Sequence, residues 1–93
     1  MQQVSGNATT DTDVSVLVTD TVLLAANTSR RFLMIVNTGA SHIRVRFGQA
    51  STTTTGIQIR GSGGALVLDR IVPTGAVNAI GETATTAVSV TEY

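Results

Sequence analysis

The sequence predicts a small all-β domain, and the expected architecture is an antiparallel β-sandwich, of which the jelly roll is one form. Short apolar runs alternate with clusters of turn-forming residues along residues 14–93, and no segment repeats its apolar residues at the helical spacing. The apolar runs are rich in Val, Ile and Thr, whose branched side chains suit a pleated sheet. Because only 3% of the residues are aromatic, the predicted core is aliphatic.

About eight short strands account for these runs, at the spacing typical of sandwiches and barrels. They are predicted at residues 14–18, 21–25, 31–37, 42–47, 57–60, 66–68, 76–80 and 87–90. The strand at 42–47 shows the clearest alternation, because Ile43, Val45 and Phe47 share one face. The glycine-rich segment at residues 61–64 is predicted to be a turn. This pattern does not define the order of the strands in the sheets.

Two parts of the chain differ in composition. Residues 1–13 are polar, lack an apolar period and are predicted to form a flexible N-terminal arm, whereas residues 14–93 form the sandwich. The first residues lack the basic and apolar segments of a signal peptide, so synthesis in the cytoplasm is expected. A domain of 93 residues without cysteine has little stability to spare, so a homo-oligomer is expected, with a homotrimer as the specific prediction.

The strongest apolar run supplies the first candidate contact surface. Alternation along residues 32–36 leaves one of two sets on the outer face of the strand, either Leu33 and Ile35 or Phe32, Met34 and Val36. A strand that is apolar on both faces is usually covered on both. A loop or the N-terminal segment could supply the cover, which makes the strand an ordinary central one. Alternatively, Phe32, Leu33, Met34 and Ile35 belong to a subunit interface.

The arginines of two later strands form the second candidate surface. Arg44, Arg46 and Arg60 share the outward parity of their strands, so they would form a basic stripe if those strands are neighbours. One interpretation is pairing within the chain, with Asp69 or Glu92 as the partners. The other is contact with an acidic surface of a partner protein.

The inventory of reactive residues argues against an enzyme. His42 is the one histidine and is expected to face solvent, so neither a catalytic triad nor a histidine-rich metal site is available. Asp11-Thr12-Asp13 resembles the opening of a calcium loop but lacks the glycine and distant glutamate that would complete it. The formal net charge of +0 argues against binding to nucleic acid or to a membrane surface. No catalytic residue, cofactor or metal is therefore predicted.

Several motifs occur along the chain in an order that resembles that of a known group of proteins. Leu23-Leu24-Ala25-Ala26-Asn27 precedes Arg30-Arg31, and the strand that follows ends in Asn37. Later come Val72-Pro73-Thr74-Gly75-Ala76 and the terminal Val88-Ser89-Val90-Thr91-Glu92. Across residues 20–92 the pattern resembles a group of small virion-associated proteins of tailed bacteriophages. The sequence departs from that group at residues 60–64, where the group often has a Pro-Gly pair.

The resemblance implies a virion protein, of the capsid decoration (cement) or head-fibre type. The expected function is to stabilise the shell by bridging subunits of the major capsid protein, since linked weak contacts give high avidity. The alternative is a receptor- or carbohydrate-binding module of a tail or fibre. Sugar sites usually expose Trp or Tyr, and this chain has no Trp and a single Tyr, at its C-terminus.

Overall fold

The computed structural model describes residues 10–93, which form eight β-strands and no helix. The strands are β1 (Thr10–Val16), β2 (Thr21–Leu24), β3 (Leu33–Asn37), β4 (Ile43–Phe47), β5 (Ile57–Ile59), β6 (Gly64–Leu68), β7 (Val77–Gly81) and β8 (Thr86–Glu92). Each predicted strand overlaps one of these eight. The predicted all-β fold is therefore confirmed.

The strands pair as one long hairpin folded over on itself. β1 pairs with β8, β2 with β7, β3 with β6 and β4 with β5, in each case antiparallel. The β3–β8 and β4–β7 pairings then join these hairpins into two four-stranded sheets. Sheet A has the order β1-β8-β3-β6 and sheet B the order β2-β7-β4-β5. These nested pairs are the connectivity of a jelly roll, which is the form of sandwich that the sequence had left open.

The core lies between the two sheets and is aliphatic, as predicted. Alternation along β3 turns Leu33 and Ile35 inward, where both are fully buried. Ile43 and Val45 of β4 meet them from sheet B and are also fully buried. The remaining fully buried apolar side chains are those of Val16, Val77, Ala79, Val88 and Val90.

The predicted boundary between arm and sandwich is wrong. β1 begins at Thr10, so residues 10–13 belong to the sandwich and not to an N-terminal arm. They pair with β8 in unbroken register, from Thr10 opposite Glu92 to Asp13 opposite Ser89. A polar composition is compatible with this placement, because β1 is an edge strand and the Thr12 and Asp13 side chains are exposed. Residues 1–9 of the predicted arm lie outside the described residues.

Candidate partner surfaces

The seven candidate contact residues do not form one surface. Leu33 and Ile35 are fully buried in the core, so the prediction that they belong to a subunit interface is wrong. Met34 alternates with them and is half-buried on the outer face of sheet A. Arg44 and Arg46 lie on the outer face of sheet B, on the opposite side of the sandwich. The structure therefore offers two separate faces.

Phe32 is held against the end of the chain. It precedes β3, and its ring stacks on Tyr93 with 5.0 Å between the ring centroids. The Tyr93 backbone N–H also donates to the Phe32 carbonyl over 3.2 Å. Both residues are half-buried, so each covers part of the other's aromatic surface.

The outer face of sheet A is uncharged across three strands. Met34 lies between Val67 of β6 and Thr91 of β8, and Val36 lies between Ala65 and Ser89. Ala87 continues this surface along β8, and Asp13 of β1 borders it. We call this surface the sheet A face; it consists of Met34, Val36, Ala65, Val67, Ala87, Ser89 and Thr91. Alternation alone could have identified Met34 and Val36, whereas the β6 and β8 members required the strand order.

The outer face of sheet B is polar and internally paired. Arg44 Nε donates to Glu82 Oε2 over 2.9 Å, and Gln58 Nε2 donates to the same oxygen over 2.8 Å. The hydrogen bond from Gln58, followed by the hydrogen bond and charge of Arg44, lowers the pKa of the Glu82 carboxyl. Within the described residues Arg44 thus pairs with Glu82, and the predicted partners Asp69 and Glu92 are wrong for this arginine.

The loop at residues 48–56 folds back over part of this face. Arg46 donates to the Gln49 side chain and, over 3.3 Å, to the Ala50 carbonyl. Asn78 of β7 donates to the Gln49 carbonyl over 2.7 Å. The loop thereby occupies the outward side of Arg46, which the sequence had suggested for contact with a partner.

Ser51 of the same loop is tied to the turn before β2. The Ser51 backbone N–H donates to Asp20 Oδ1 over 2.8 Å, and the Ser51 hydroxyl donates to the same oxygen. These bonds, with the hydroxyl bond the larger cause, lower the pKa of the Asp20 carboxyl. Asp20 therefore anchors the loop across sheet B.

Arg60 lies apart from the other two arginines. β4 and β5 are neighbours, as a basic stripe requires, but β5 ends at Ile59 and Arg60 begins the turn that leads into β6. Its side chain is exposed and has no hydrogen-bond or ion-pair partner among residues 12–93. The three arginines therefore do not form the predicted stripe. Arg44 and Arg46 each contact other residues of the chain, and Arg60 lies apart from both.

The family-like motifs converge on a single buried ion pair. Arg30 Nε donates to Glu92 Oε1 over 2.8 Å, and the Arg30 side chain is completely buried. The rest of the guanidinium donates to the carbonyls of Pro73, Gly75 and Ala25 over 2.6, 2.9 and 2.8 Å. Arg30 thus joins the β2–β3 loop, the β6–β7 loop and the end of β8.

Asn27 completes this polar cluster. Its backbone N–H donates to the Thr74 carbonyl over 2.8 Å, and its side-chain amide donates to Glu92 Oε1 over 3.3 Å. Its side-chain oxygen accepts from the Ser29 N–H over 3.0 Å and so shapes the loop before Arg30. Because Arg30 is buried and paired, this cluster binds parts of the fold together and offers no open site.

A second polar cluster lies at the opposite end of the sandwich, around Asn37. Asn37 is fully buried and donates to the Ser41 and Ile59 carbonyls over 2.7 and 3.1 Å. Its side-chain oxygen accepts from the Gly39 N–H over 3.1 Å and from the Thr86 hydroxyl over 3.3 Å. All the hydrogen-bonding groups of this amide are used, and they join the β3–β4 loop to the end of β5 and the start of β8.

His42 lies beside that cluster. It is half-buried rather than fully solvent-facing, and its Nδ1 accepts the Gly61 N–H over 2.9 Å. The ring therefore fixes the turn before β6. No catalytic role follows from this contact.

The potential metal ligands of the described part of the chain are dispersed. Residues 12–93 contain no group of three or more His, Asp or Glu side chains placed to hold a metal ion. A shallow, open depression lined by residues 67–71 contains one carboxylate, that of Asp69, beside Arg70. The described chain also contains no helix of the length and apolarity needed to cross a membrane.

The sheet A face is uncharged, whereas the arginines of sheet B make contacts within the chain. Comparison with protein-family models, curated protein sequences and solved structures finds no match for this chain.

Proposed function

We propose that this chain is a structural protein of a bacteriophage particle, a capsid decoration protein that binds subunits of the major capsid protein through its sheet A face. In this proposal the protein acts as a homo-oligomer on the virion, with the homotrimer as the sequence-based expectation. It carries out no chemistry and binds neither nucleic acid nor membrane. Each contact is weak, and linking several of them on one oligomer produces tight attachment.

The observation that carries the proposal is the character of the sheet A face. An outer sheet face on a small soluble domain is ordinarily polar. Here the outward residues of three adjacent strands are uncharged, and Met34 and Val36 lie at their centre. Loss of charged residues at the centre of a patch distinguishes contact surfaces from ordinary surface. Met34 adds a flexible side chain that can adapt to a partner.

The placement of the family-like motifs gives further support. Three stretches that are far apart in sequence, around Arg30, Pro73 and Glu92, contribute to one polar cluster. Their order along the chain is therefore tied to one three-dimensional arrangement, which generic turn composition would not require. The jelly-roll connectivity is also one that viral capsid proteins use, although lectins and cupins share it.

The alternative, a sugar-binding module of a tail or fibre, gains no support from the aromatic residues. Such sites stack the sugar on an exposed aromatic ring. Tyr93 instead stacks on Phe32, with 5.0 Å between their centroids. Phe47 packs against the core.

The proposal is tested with capsids of the parent phage that lack this protein. Val36→Glu places a charge at the centre of the sheet A face, and Thr54→Glu places the same charge in an exposed loop over the other side. We expect Val36→Glu to abolish co-sedimentation with the capsids and Thr54→Glu to bind like the parent chain. Circular dichroism melting establishes that both variants are folded. Equal binding by the two variants would overturn the assignment of the sheet A face, and no binding by the parent chain would overturn the function.

A further inference from the structure

The edge strands of the two sheets are protected unequally. Exposed edges invite pairing with another chain, and proteins block this with charges, bulges or very short strands. β1 carries Asp11 and Asp13, β2 has a register shift between Val22 and Leu24, and β5 is only three residues long. Three of the four edge strands formed by residues 10–93 therefore carry a protective feature.

β6 (Gly64–Leu68) carries none of these features. Its five residues are Gly-Ala-Leu-Val-Leu, without charge or proline, and they pair with β3 in unbroken register. Val67 faces outward on this strand and is 51% exposed. Ile71, shortly after the strand, is 90% exposed. Among the four edge strands formed by residues 10–93, β6 is therefore the one without a protective feature.

We propose that β6 pairs antiparallel with β6 of a second copy of this chain, across a two-fold axis at Leu66. The inference goes beyond the proposed function and holds whatever the protein binds. The pairing joins two A sheets into one continuous eight-stranded sheet. Ala65 of each copy then lies opposite Val67 of the other, so apolar side chains meet on the outer face.

Charge complementarity favours this occupant of the edge. Arg60 precedes β6 and Asp69 follows it, and neither side chain has a partner among residues 12–93. Antiparallel self-pairing brings the Arg60 end of each strand beside the Asp69 end of the other. Pairing of β6 with β1 of a second copy would instead bring the aspartates of β1 towards Asp69, and like charges oppose that contact.

The mass of the assembly tests the proposal. Val67→Lys adds a charge to the β6 edge, and Val22→Lys adds the same charge to the bulged β2 edge at a residue of similar exposure, 58% against 51%. We expect sedimentation equilibrium to give an even number of chains for the parent protein, which is six if two of the trimers expected from the sequence pair through β6. Val67→Lys should halve that mass, because the introduced lysines raise the dissociation constant on the order of a hundredfold. Val22→Lys should leave it unchanged. A monomeric or odd-numbered parent, or equal masses for both variants, would overturn the proposal.

Cysteine pairing tests the register, since the chain has no cysteine of its own. Ala65→Cys and Val67→Cys chains should form an intermolecular disulfide when mixed under mild oxidation, and neither should do so alone, because residue 65 of one copy faces residue 67 of the other. Disulfides that form equally well in either variant alone would contradict the register. Arg60→Glu and Asp69→Arg should each weaken association by about fivefold, and the double variant should restore it. Failure of that restoration would contradict the charge pairing.

Discussion

The Arg30 guanidinium and the Glu92 carboxylate, 62 residues apart in the sequence, form a buried ion pair with 2.8 Å between Nε and Oε1. The pair fastens the last residues of β8 to the loop that leads into β3. Three backbone carbonyls accept hydrogen bonds from the other two guanidinium nitrogens, so the burial cost of the charge is offset from several sides. The Arg30 side chain thus makes four hydrogen bonds that join three separate parts of the chain.

Removing one member of this pair is expected to destabilise the domain strongly. Glu92→Ala leaves a buried guanidinium without its counter-charge, which costs about 3–5 kcal/mol. Glu92→Gln keeps an acceptor for Arg30 Nε and should cost less. Glu82→Ala breaks the partly exposed pair with Arg44 and should cost about 1 kcal/mol or less. Urea unfolding measures all three, and a Glu92→Ala cost no larger than that of Glu82→Ala would contradict the structural role of the buried pair.

Gly39 is required for the close approach of the β3–β4 loop to the start of β8. A Cβ at this position would lie 1.7 Å from the Thr86 hydroxyl and 2.8 Å from the Ala87 backbone nitrogen. Gly39→Ala must displace backbone and disturb the Asn37 cluster, so we expect a loss of about 2–4 kcal/mol. Gly63 has φ 106° but open space around it, so Gly63→Ala carries only the conformational cost, about 1–2 kcal/mol. Thermal melting measures the stability loss of each variant. A larger loss for Gly63→Ala than for Gly39→Ala would contradict the close approach at Gly39.

Alternation along individual strands was sufficient to predict the eight strands and the inward side chains of β4. It could not predict the strand order, because the pairing of β4 with β7 depends on packing between distant segments. The partner of Arg44 was missed for that reason, since Glu82 directly follows β7, the strand next to β4 in the sheet. The start of β1 was misjudged because an edge strand needs no apolar outer face, as Asp13 illustrates.

Acid should weaken the attachment of the loop at residues 48–56. The pKa values of Asp20 and Glu82 are lowered in the folded chain, so each carboxylate contributes stability that is fully present above its unfolded pKa, about 4. That contribution is lost as the pH falls through the lower folded values. Asp20→Asn should therefore make the unfolding free energy less dependent on pH below about 4 than it is in the parent chain. If the unfolding free energy of Asp20→Asn depends on pH in this acid range as strongly as that of the parent chain, the Ser51 bonds do not stabilise the ionised carboxylate.

Variants of Arg44 and Arg46 test which of the two outer faces makes the capsid contact. Both are engaged within the subunit, with Glu82 and with the loop at residues 48–56. If the sheet A face makes the capsid contact, the double variant Arg44→Ala with Arg46→Ala should bind capsids as the parent does and lose about 1–2 kcal/mol of stability. Loss of capsid binding by a folded double variant would instead assign the contact to sheet B, as the sequence had suggested for an acidic partner.

Electron microscopy of intact particles that carry this chain tests the proposed function most directly. The account predicts that density for the β-sandwich domain is repeated over the whole shell, with the face that contains Met34 and Val36 turned towards capsid subunits. Density confined to one vertex, or a sandwich seated on the shell through the loop at residues 48–56, would contradict it.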